Sequence, residues 1–386
     1  MKASALALGF VAPGYEVVRD AFSFNLTRAD GHREVGASLC VYLHDACVVD
    51  LWGGHADAAK SRPWREDTLV NVWSTTKGIT AIAIARLIER GLVSYERRVS
   101  ELWPEFAAAG KRDITLAQVL SHRAGLPGFE APTTCADLLD FAGCCEKLAA
   151  QRPVFEPGSA SCYHTITFGY LAGEVVRRVA GCSLGSFVRE ELAGPLQAAC
   201  YVGLAAALHA RVADLVPPEA VPVSGQSTVL PQAATMATRN PVLDATAAMT
   251  PAWRNAEIPA LNGHADARGV ARLFAVVANR GSLEGTSLLS AATLRSLGAL
   301  GGHGADLLLG YDPEWVMGLS RNPKRYYGPN PATLGHSGWG GSFGCADPKS
   351  GLAVGYVCNR MGSGMVSDPR GATLIESLQL ARSQAS

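Results

Sequence analysis

The sequence predicts a mixed α/β (α+β) fold, with an antiparallel sheet from both chain ends, flanking helices and a mainly helical lobe inserted between. Three observations carry this. Strand-like runs flank the turn-like His44-Asp45 in "GASLCVYLHDACVVDLWGG" (36–54). Strand-like runs return late in the chain as "EWVMGLS", "ATLGHSGWGG" and "LAVGYVCN". The segments between show helical periodicity with glycine stops. The 386 residues read as one unit, with a sheet lobe over 1–75 plus 265–386 and a mainly helical lobe over 76–264.

Taken in order, Gly53-Gly54 ends the second strand of the hairpin. From Ser74 to Arg90 the chain is apolar almost all round and Gly91 stops it, which predicts a buried central helix. "ITLAQVLSHRAGLPGF" (114–129) opens on Thr115 as N-cap and closes in Gly and Pro, giving a short helix and a loop. "TFGYLAGEVVRRVAG" (167–181) is a second helix with a terminal glycine. The Pro/Ala/Thr-rich stretch over 217–259 reads as long loops flanking a cleft. Asp266 caps a helix over 265–281, "DPKSG" turns between two late strands, and "ATLIESLQLARS" is a final helix on the sheet.

An apolar fraction of 48% and a charged fraction of 18% describe an ordinary globular chain. Lys plus Arg and Asp plus Glu both total 34, and the charges are interspersed, so nucleic acid is not an expected partner. No run reaches the roughly 18 apolar residues of a membrane span. The start, "MKASALALGFVAPGYEVV", lacks a small-x-small cleavage site before Pro13 and reads as a mature N-terminus. Ten cysteines without C-x-x-C spacing read mostly as buried small hydrophobes, which places the chain in the reducing cytoplasm. Oligomeric state leaves no mark on the sequence.

The chemistry centres on "NVWSTTKGIT" (71–80). Residues at i and i+3 share a helix face, so Lys77 Nζ is delivered to the Ser74 hydroxyl by helix geometry alone. A free lysine, with a pKa of about 10.4, is charged at neutral pH; burial beside an apolar helix penalises the ammonium and frees a base. The plainer reading of Ser74 is a helix cap. Two further segments weigh against it. "FEPGSASCYHTITFGYLAGEVV" presents Tyr163 from a loop just before a helix, as a second proton carrier, although a lone tyrosine is more often packing. "GHSGWGGSFGCADP" (335–348) is glycine-dense and allows close backbone approach, so its N–H groups with that of Ser74 form an oxyanion hole.

The order Ser-x-x-Lys, loop tyrosine, then His-Ser-Gly resembles the serine hydrolases of the class C β-lactamase and D-alanyl-D-alanine carboxypeptidase group, and more closely its family VIII carboxylesterases. The supporting segments include "DLWGGHAD", "VWSTTKGITA", "LSHRAGLPGF" and "NGHADARGVARL", and together they span most of the chain. The resemblance implies a β-lactamase-like fold with Ser74 as acylated nucleophile, Lys77 as base and Tyr163 as second acid/base. Trp339 supplies the second oxyanion N–H, and His336, Ser337, Gly338, Trp339 and Gly340 bind substrate. Two departures matter. Tyr163-His164-Thr165 lacks the asparagine of the lactamase Tyr-x-Asn, and His336 replaces the lysine of Lys-Thr-Gly. Both point from lactams to esters, and Trp339-Gly340-Gly341 matches the esterases' Trp-Gly-Gly. The expected ligand is a small-molecule ester, with no organic cofactor. A lactamase or peptidase, an amidase, an acyltransferase and an inactive binding homologue are the alternatives.

Two G-x-S-x-G matches, "GCSLG" (181–185) and "GGSFG" (340–344), lack the strand–turn–helix context of a nucleophile elbow. Ser183 reads as a helix cap. No H-E-x-x-H or other ligand spacing appears, so no metal is expected, and His44, His55, His122 and His264 read as structural or surface residues. Trp253 lies in the loop-like stretch and is expected beside the cleft.

Overall fold

A six-stranded antiparallel sheet takes strands from both ends of the chain, within the residues 7–218 and 231–384 that the computed structural model describes. Strand β1 (Leu8–Val11) leads to helix α1 (Glu16–Thr27), the hairpin β2 (Gly36–Leu43) and β3 (Ala46–Gly54), the short β4 (Val70–Asn71) and helix α2 (Thr75–Glu89). Helices α3 (Val99–Leu102), α4 (Leu116–Leu120), α5 (Phe141–Ala150), α6 (Thr167–Ala180) and α7 (Leu184–Val188) follow. Strand β5 (Cys200–Val202), helices α8 (Gln232–Arg239) and α9 (Pro251–Asn255), and strand β6 (Gly263–Ala265) come next. Then come α10 (Ala267–Ala278), the small hairpin β7 (Ser282–Leu283) and β8 (Thr286–Ser287), and α11 (Ala291–Leu297). Strands β9 (Leu334–Ser337), β10 (Phe343–Asp347) and β11 (Leu352–Cys358) precede the last helix, α12 (Pro369–Gln384).

The spatial order is β1-β3-β2-β11-β10-β9, so β2 joins the early and late strands through pairing of Ala37 with Cys358 to Leu43 with Leu352. β2 is buried on both faces, which explains why "GASLCVYL" does not alternate. Helices α1 and α12 cover one face, where Val18, Phe22, Leu374 and Leu378 meet Leu39, Val41 and Val354. Helix α10 lies on the other. It approaches closely because β11 carries glycine there: a Cβ at Gly355 would sit 2.3 Å from the Ala267 carbonyl oxygen. The turn between β2 and β3 falls at His44, with φ of +54°, as the sequence predicts.

Helix α2 is buried along nearly its whole length. Ile79, Ile82, Ile84 and Leu87 are fully buried, each contributing about 1.5–3 kcal/mol relative to exposure, so the helix is a rigid axle for whatever stands at its start. Thr115 caps α4 in a reciprocal capping box with Gln118, Gly181 ends α6 in the left-handed region, and Asp266 caps α10 by accepting from Gly269 N at 2.7 Å. The three-stranded sheet β4-β6-β5 ties residues 70–71 to 200–202 and 263–265 behind the start of α2.

Two expectations need correction. The stretch over 217–259 is not all loop: it holds α8, a 3₁₀ turn over Ala245–Met249 capped by Asp244, and α9 capped by Thr250, while residues 219–230 lie outside the described residues. The 3₁₀ turn and α9 have five residues each and α8 only eight, too few for a sustained apolar repeat to stand out. "EWVMGLS" is not a strand but a tight turn with isolated bridges from Ser320 to Trp315 and to Gly335, because Gly318 turns the chain at φ of +88°. Residues 1–6, within the N-terminus read as a mature start, also lie outside the described residues. Among the described residues no helix is long and apolar enough to cross a membrane.

Candidate active site

Val72, just past β4, donates to the Gly263 carbonyl at 2.8 Å, and the chain then turns at Trp73, whose φ of +47° is rare for a bulky side chain. Ser74 leaves the strand abruptly and stands at the N-terminus of α2, 9% exposed. Its side chain makes no capping hydrogen bond. The hydroxyl that a cap would have occupied instead meets Lys77, with Nζ 2.9 Å from Ser74 Oγ.

Lys77 is fully buried. Its Nζ also lies 2.6 Å from the Thr165 carbonyl oxygen and 3.2 Å from that of Ala260, and 4.9 Å from the centre of the Tyr163 ring. Burial drives its pKa well below the ordinary lysine value. A neutral amine has two N–H bonds and one lone pair. The Thr165 and Ala260 carbonyls can only accept, so they take the two N–H bonds and leave the lone pair facing the Ser74 hydroxyl. The two carbonyls thus aim the amine at Ser74. No sequence pattern marks them, since a backbone oxygen has no residue identity.

Tyr163 is buried in the loop before α6. Burial pushes its phenol above the ordinary value, and the Ser74 hydroxyl offsets this in part, so the phenol keeps its proton at neutral pH. His122 packs edge-on against the Tyr163 ring at 4.9 Å between centres. Burial lowers His122 well below the ordinary histidine value, His164 to about 4 and His336 to about 3. All three rings are neutral at pH 7. Burial thus disfavours the charged forms of both groups that flank Ser74, the Lys77 amine and the Tyr163 phenol.

Strand β9 ends against the segment that carries Ser74. A Cβ at Gly338 would sit 2.2 Å from the Val72 carbonyl oxygen and 3.1 Å from Thr75 Oγ1, so only glycine lets the strand come this close. Ser342 fastens the contact, donating to the Val72 carbonyl at 2.9 Å and lying 3.2 Å from Thr75 Oγ1. Ser342 is thus a buried tie, and Ser183 caps α7 by accepting from Ser186 N; neither G-x-S-x-G serine is a nucleophile elbow. Among the described residues, the backbone N–H groups of Ser74 and Trp339 have no internal acceptor. Beyond Trp339, Arg370 of α12 donates to the Gly340 carbonyl, a support for this turn that the sequence does not announce.

A cavity of about 110 Å³ opens on Ser74 and is walled by Trp73, Tyr163, Ile166, Val242, Leu261 and Trp339 among others, all uncharged. Of the substrate-binding segment expected from sequence, only Trp339 reaches this wall. His336 is buried behind it, with Nδ1 2.9 Å from the Ser337 carbonyl oxygen, and the Ser337 hydroxyl is paired with Tyr327 at 2.8 Å. Gly338 and Gly340 shape the turn from behind. Trp253 is corrected more sharply: it is 1% exposed, packs on Trp73 with ring centres 5.7 Å apart, and gives its indole N–H to Asn71 Oδ1 at 3.0 Å. It supports the wall one layer back, because α9 folds it inward. Among the described residues no three His, Cys, Asp or Glu side chains converge as a metal site requires.

The family model described as "Beta-lactamase" matches residues 25–377. The chain belongs to the beta-lactamase family. Within it, the esterase/beta-lactamase LipL of Mycobacterium tuberculosis is 34% identical over 93% of this chain and 84% of that protein. The crystal structure of a family VIII carboxylesterase is 44% identical and superposes with a TM-score of 0.92, covering 97% of this chain and 99% of that one. A penicillin-binding protein homolog from Caulobacter crescentus is 40% identical, with a TM-score of 0.88 over 97% of this chain and 99% of that one. The β-lactamase-like fold expected from the motifs is thus the fold of the family, and the resemblance to family VIII carboxylesterases holds across nearly the whole chain.

Proposed function

We propose that this beta-lactamase family protein is a serine carboxylesterase, hydrolysing small-molecule esters through an acyl-enzyme on Ser74 without metal or organic cofactor. The observation that carries the reading is Lys77 Nζ, held by two carbonyls with its remaining position toward Ser74 Oγ at 2.9 Å, beside a cavity with no charged side chain in its wall. Ser74 Oγ attacks the ester carbonyl as Lys77 takes its proton. The backbone N–H groups of Ser74 and Trp339 stabilise the oxyanion. Tyr163, protonated at neutral pH, gives its proton to the departing alkoxide and recovers one from the water that cleaves the acyl-enzyme, while Lys77 returns its proton to Ser74 Oγ as the acid leaves. An uncharged wall suits a neutral ester better than a lactam, whose carboxylate would need a cation. A cytoplasmic location belongs to this reading; it rests on cysteines used as buried apolar side chains, Cys162, Cys200 and Cys345 among them.

The test is turnover of p-nitrophenyl butyrate and of nitrocefin by wild type and Ser74→Ala, with fluorophosphonate labelling of both. Ester turnover and labelling that vanish in Ser74→Ala, with nitrocefin the poorer substrate, are expected. Nitrocefin as the better substrate would overturn the ester assignment, and wild-type turnover by Ser74→Ala would overturn the nucleophile.

A further inference from the structure

We propose that Asp306 is a positioning residue for Tyr163, a single buried carboxylate that fixes both the loop and the ring platform holding the phenol beside Ser74; this rests on the reading of Tyr163 as proton donor. Asp306 is 1% exposed. Its Oδ1 accepts from the backbone N–H groups of Tyr163 at 3.1 Å, Leu308 at 3.0 Å and Leu309 at 3.1 Å. Its Oδ2 accepts from Ser161 Oγ at 2.7 Å and from the Trp315 indole N–H at 3.1 Å. Trp315 in turn lies flat on the Tyr163 ring, with centres 5.4 Å apart and planes 12° from parallel. Backbone pairing of Leu307 N with the Ser161 carbonyl at 2.9 Å closes the same junction.

All five partners donate and Asp306 only accepts, the pattern of a carboxylate whose lone-pair sites are filled. No lysine or arginine pairs with it among the described residues. A buried anion without a cation is costly unless donors converge on it, and here they are drawn from the segments that enclose Tyr163. The backbone N–H of Tyr163 sets where the loop stands, and the Trp315 ring sets how far the phenol can tilt. The negative charge adds a second effect: it opposes formation of the phenolate and so helps keep the proton on Tyr163 until the alkoxide calls for it.

Asp306→Asn keeps the shape, removes the charge and sets an amide N–H against the Trp315 indole N–H. Trp315→Phe keeps the stacked ring and removes that donor conflict. With p-nitrophenyl butyrate, D306N should lower kcat about ten- to a hundredfold with KM within about twofold, and move the alkaline limb of the kcat–pH profile about one unit downward. In D306N/W315F thermal stability should recover relative to D306N while the shift of the alkaline limb persists. Trp315→Phe alone should lower kcat about threefold to tenfold with the limb in place. A folded D306N/W315F with wild-type kcat and pH profile would reduce Asp306 to a fold-stabilising residue and overturn the proposal; wild-type kcat in Trp315→Phe would overturn the part played by the indole tie between Trp315 and Asp306. Should D306N alone fail to fold, the double variant decides. Tyr163→Phe separates the two readings. Wild-type turnover there sinks Tyr163 as proton donor, whereas a dead Tyr163→Phe beside unshifted D306N profiles sinks only the role of Asp306.

Discussion

Arg370 donates from Nη2 to the Gly340 carbonyl oxygen at 2.7 Å, one residue beyond Trp339. The same guanidinium holds the Arg360 carbonyl at 2.7 Å, Glu34 at 2.9 Å and Asp368 at 2.7 Å. Gly340 and Gly341 turn at φ of +98° and +122°, and a Cβ at Gly341 would sit 2.9 Å from Arg370 Nη2, so turn and guanidinium are fitted to each other. Losing an oxyanion-hole donor outright costs about 10²–10³ in kcat; a displaced donor costs less. Arg370→Lys, which keeps the charge but not the planar fork, should lower kcat on p-nitrophenyl esters about tenfold with KM little changed. An unchanged kcat would separate the turn from α12.

Glu34 carries a pH dependence of stability. Burial raises its carboxyl to about 7, against the pull of Arg370, where the unfolded value is near 4.5. The folded protein therefore binds this proton more tightly than the unfolded chain. Its contribution is fully present below the unfolded pKa and is lost as pH rises through about 7. Glu34→Gln should flatten that part of the curve, so that wild type loses more melting temperature than the variant between about pH 5 and pH 8. Parallel curves would show that Glu34 stays ionised in the fold.

What the sequence revealed and what it concealed divide along contact distance. Ser74 and Lys77 were legible because a helix alone brings i and i+3 together. Thr115, Asp266 and Gly181 were legible for the same local reason. Tyr163 needed the whole motif order, since nothing near it in the chain distinguishes it from a packing residue. Asp306 and Arg370 could not be seen: the first meets Tyr163 across 143 residues and the second meets Glu34 across 336, and neither contact leaves a local pattern. The inward turn of Trp253 leaves no mark in the sequence, since α9, the helix that makes it, spans only five residues.

Lys77 should impose the acid limb on activity. The amine works only when deprotonated, and burial holds its pKa well below that of a free lysine, so kcat/KM should rise with pH through that lowered value to a plateau that ends at the alkaline limb set by Tyr163. Lys77→Arg places a group that does not deprotonate in the same pocket, and kcat/KM should fall at least about a thousandfold with no recovery at alkaline pH. An acid limb that survives in Lys77→Arg would assign it to another group.

Trp253 gives the converse case, a residue whose loss should cost stability and leave ester binding alone. Its indole N–H satisfies Asn71 Oδ1 at 3.0 Å, and Asn71 Nδ2 in turn holds the Leu261 carbonyl at 3.2 Å. Trp253→Phe leaves that buried amide oxygen unpaired, a penalty of about 1–3 kcal/mol, and removes part of the packing behind Trp73. The melting temperature should drop by several degrees. KM for p-nitrophenyl butyrate should stay within about twofold, because the cavity wall is formed by Trp73 and Leu261 rather than by Trp253 itself. A fivefold or larger change in KM at unchanged kcat would return Trp253 to the substrate-facing layer and overturn its placement behind the wall.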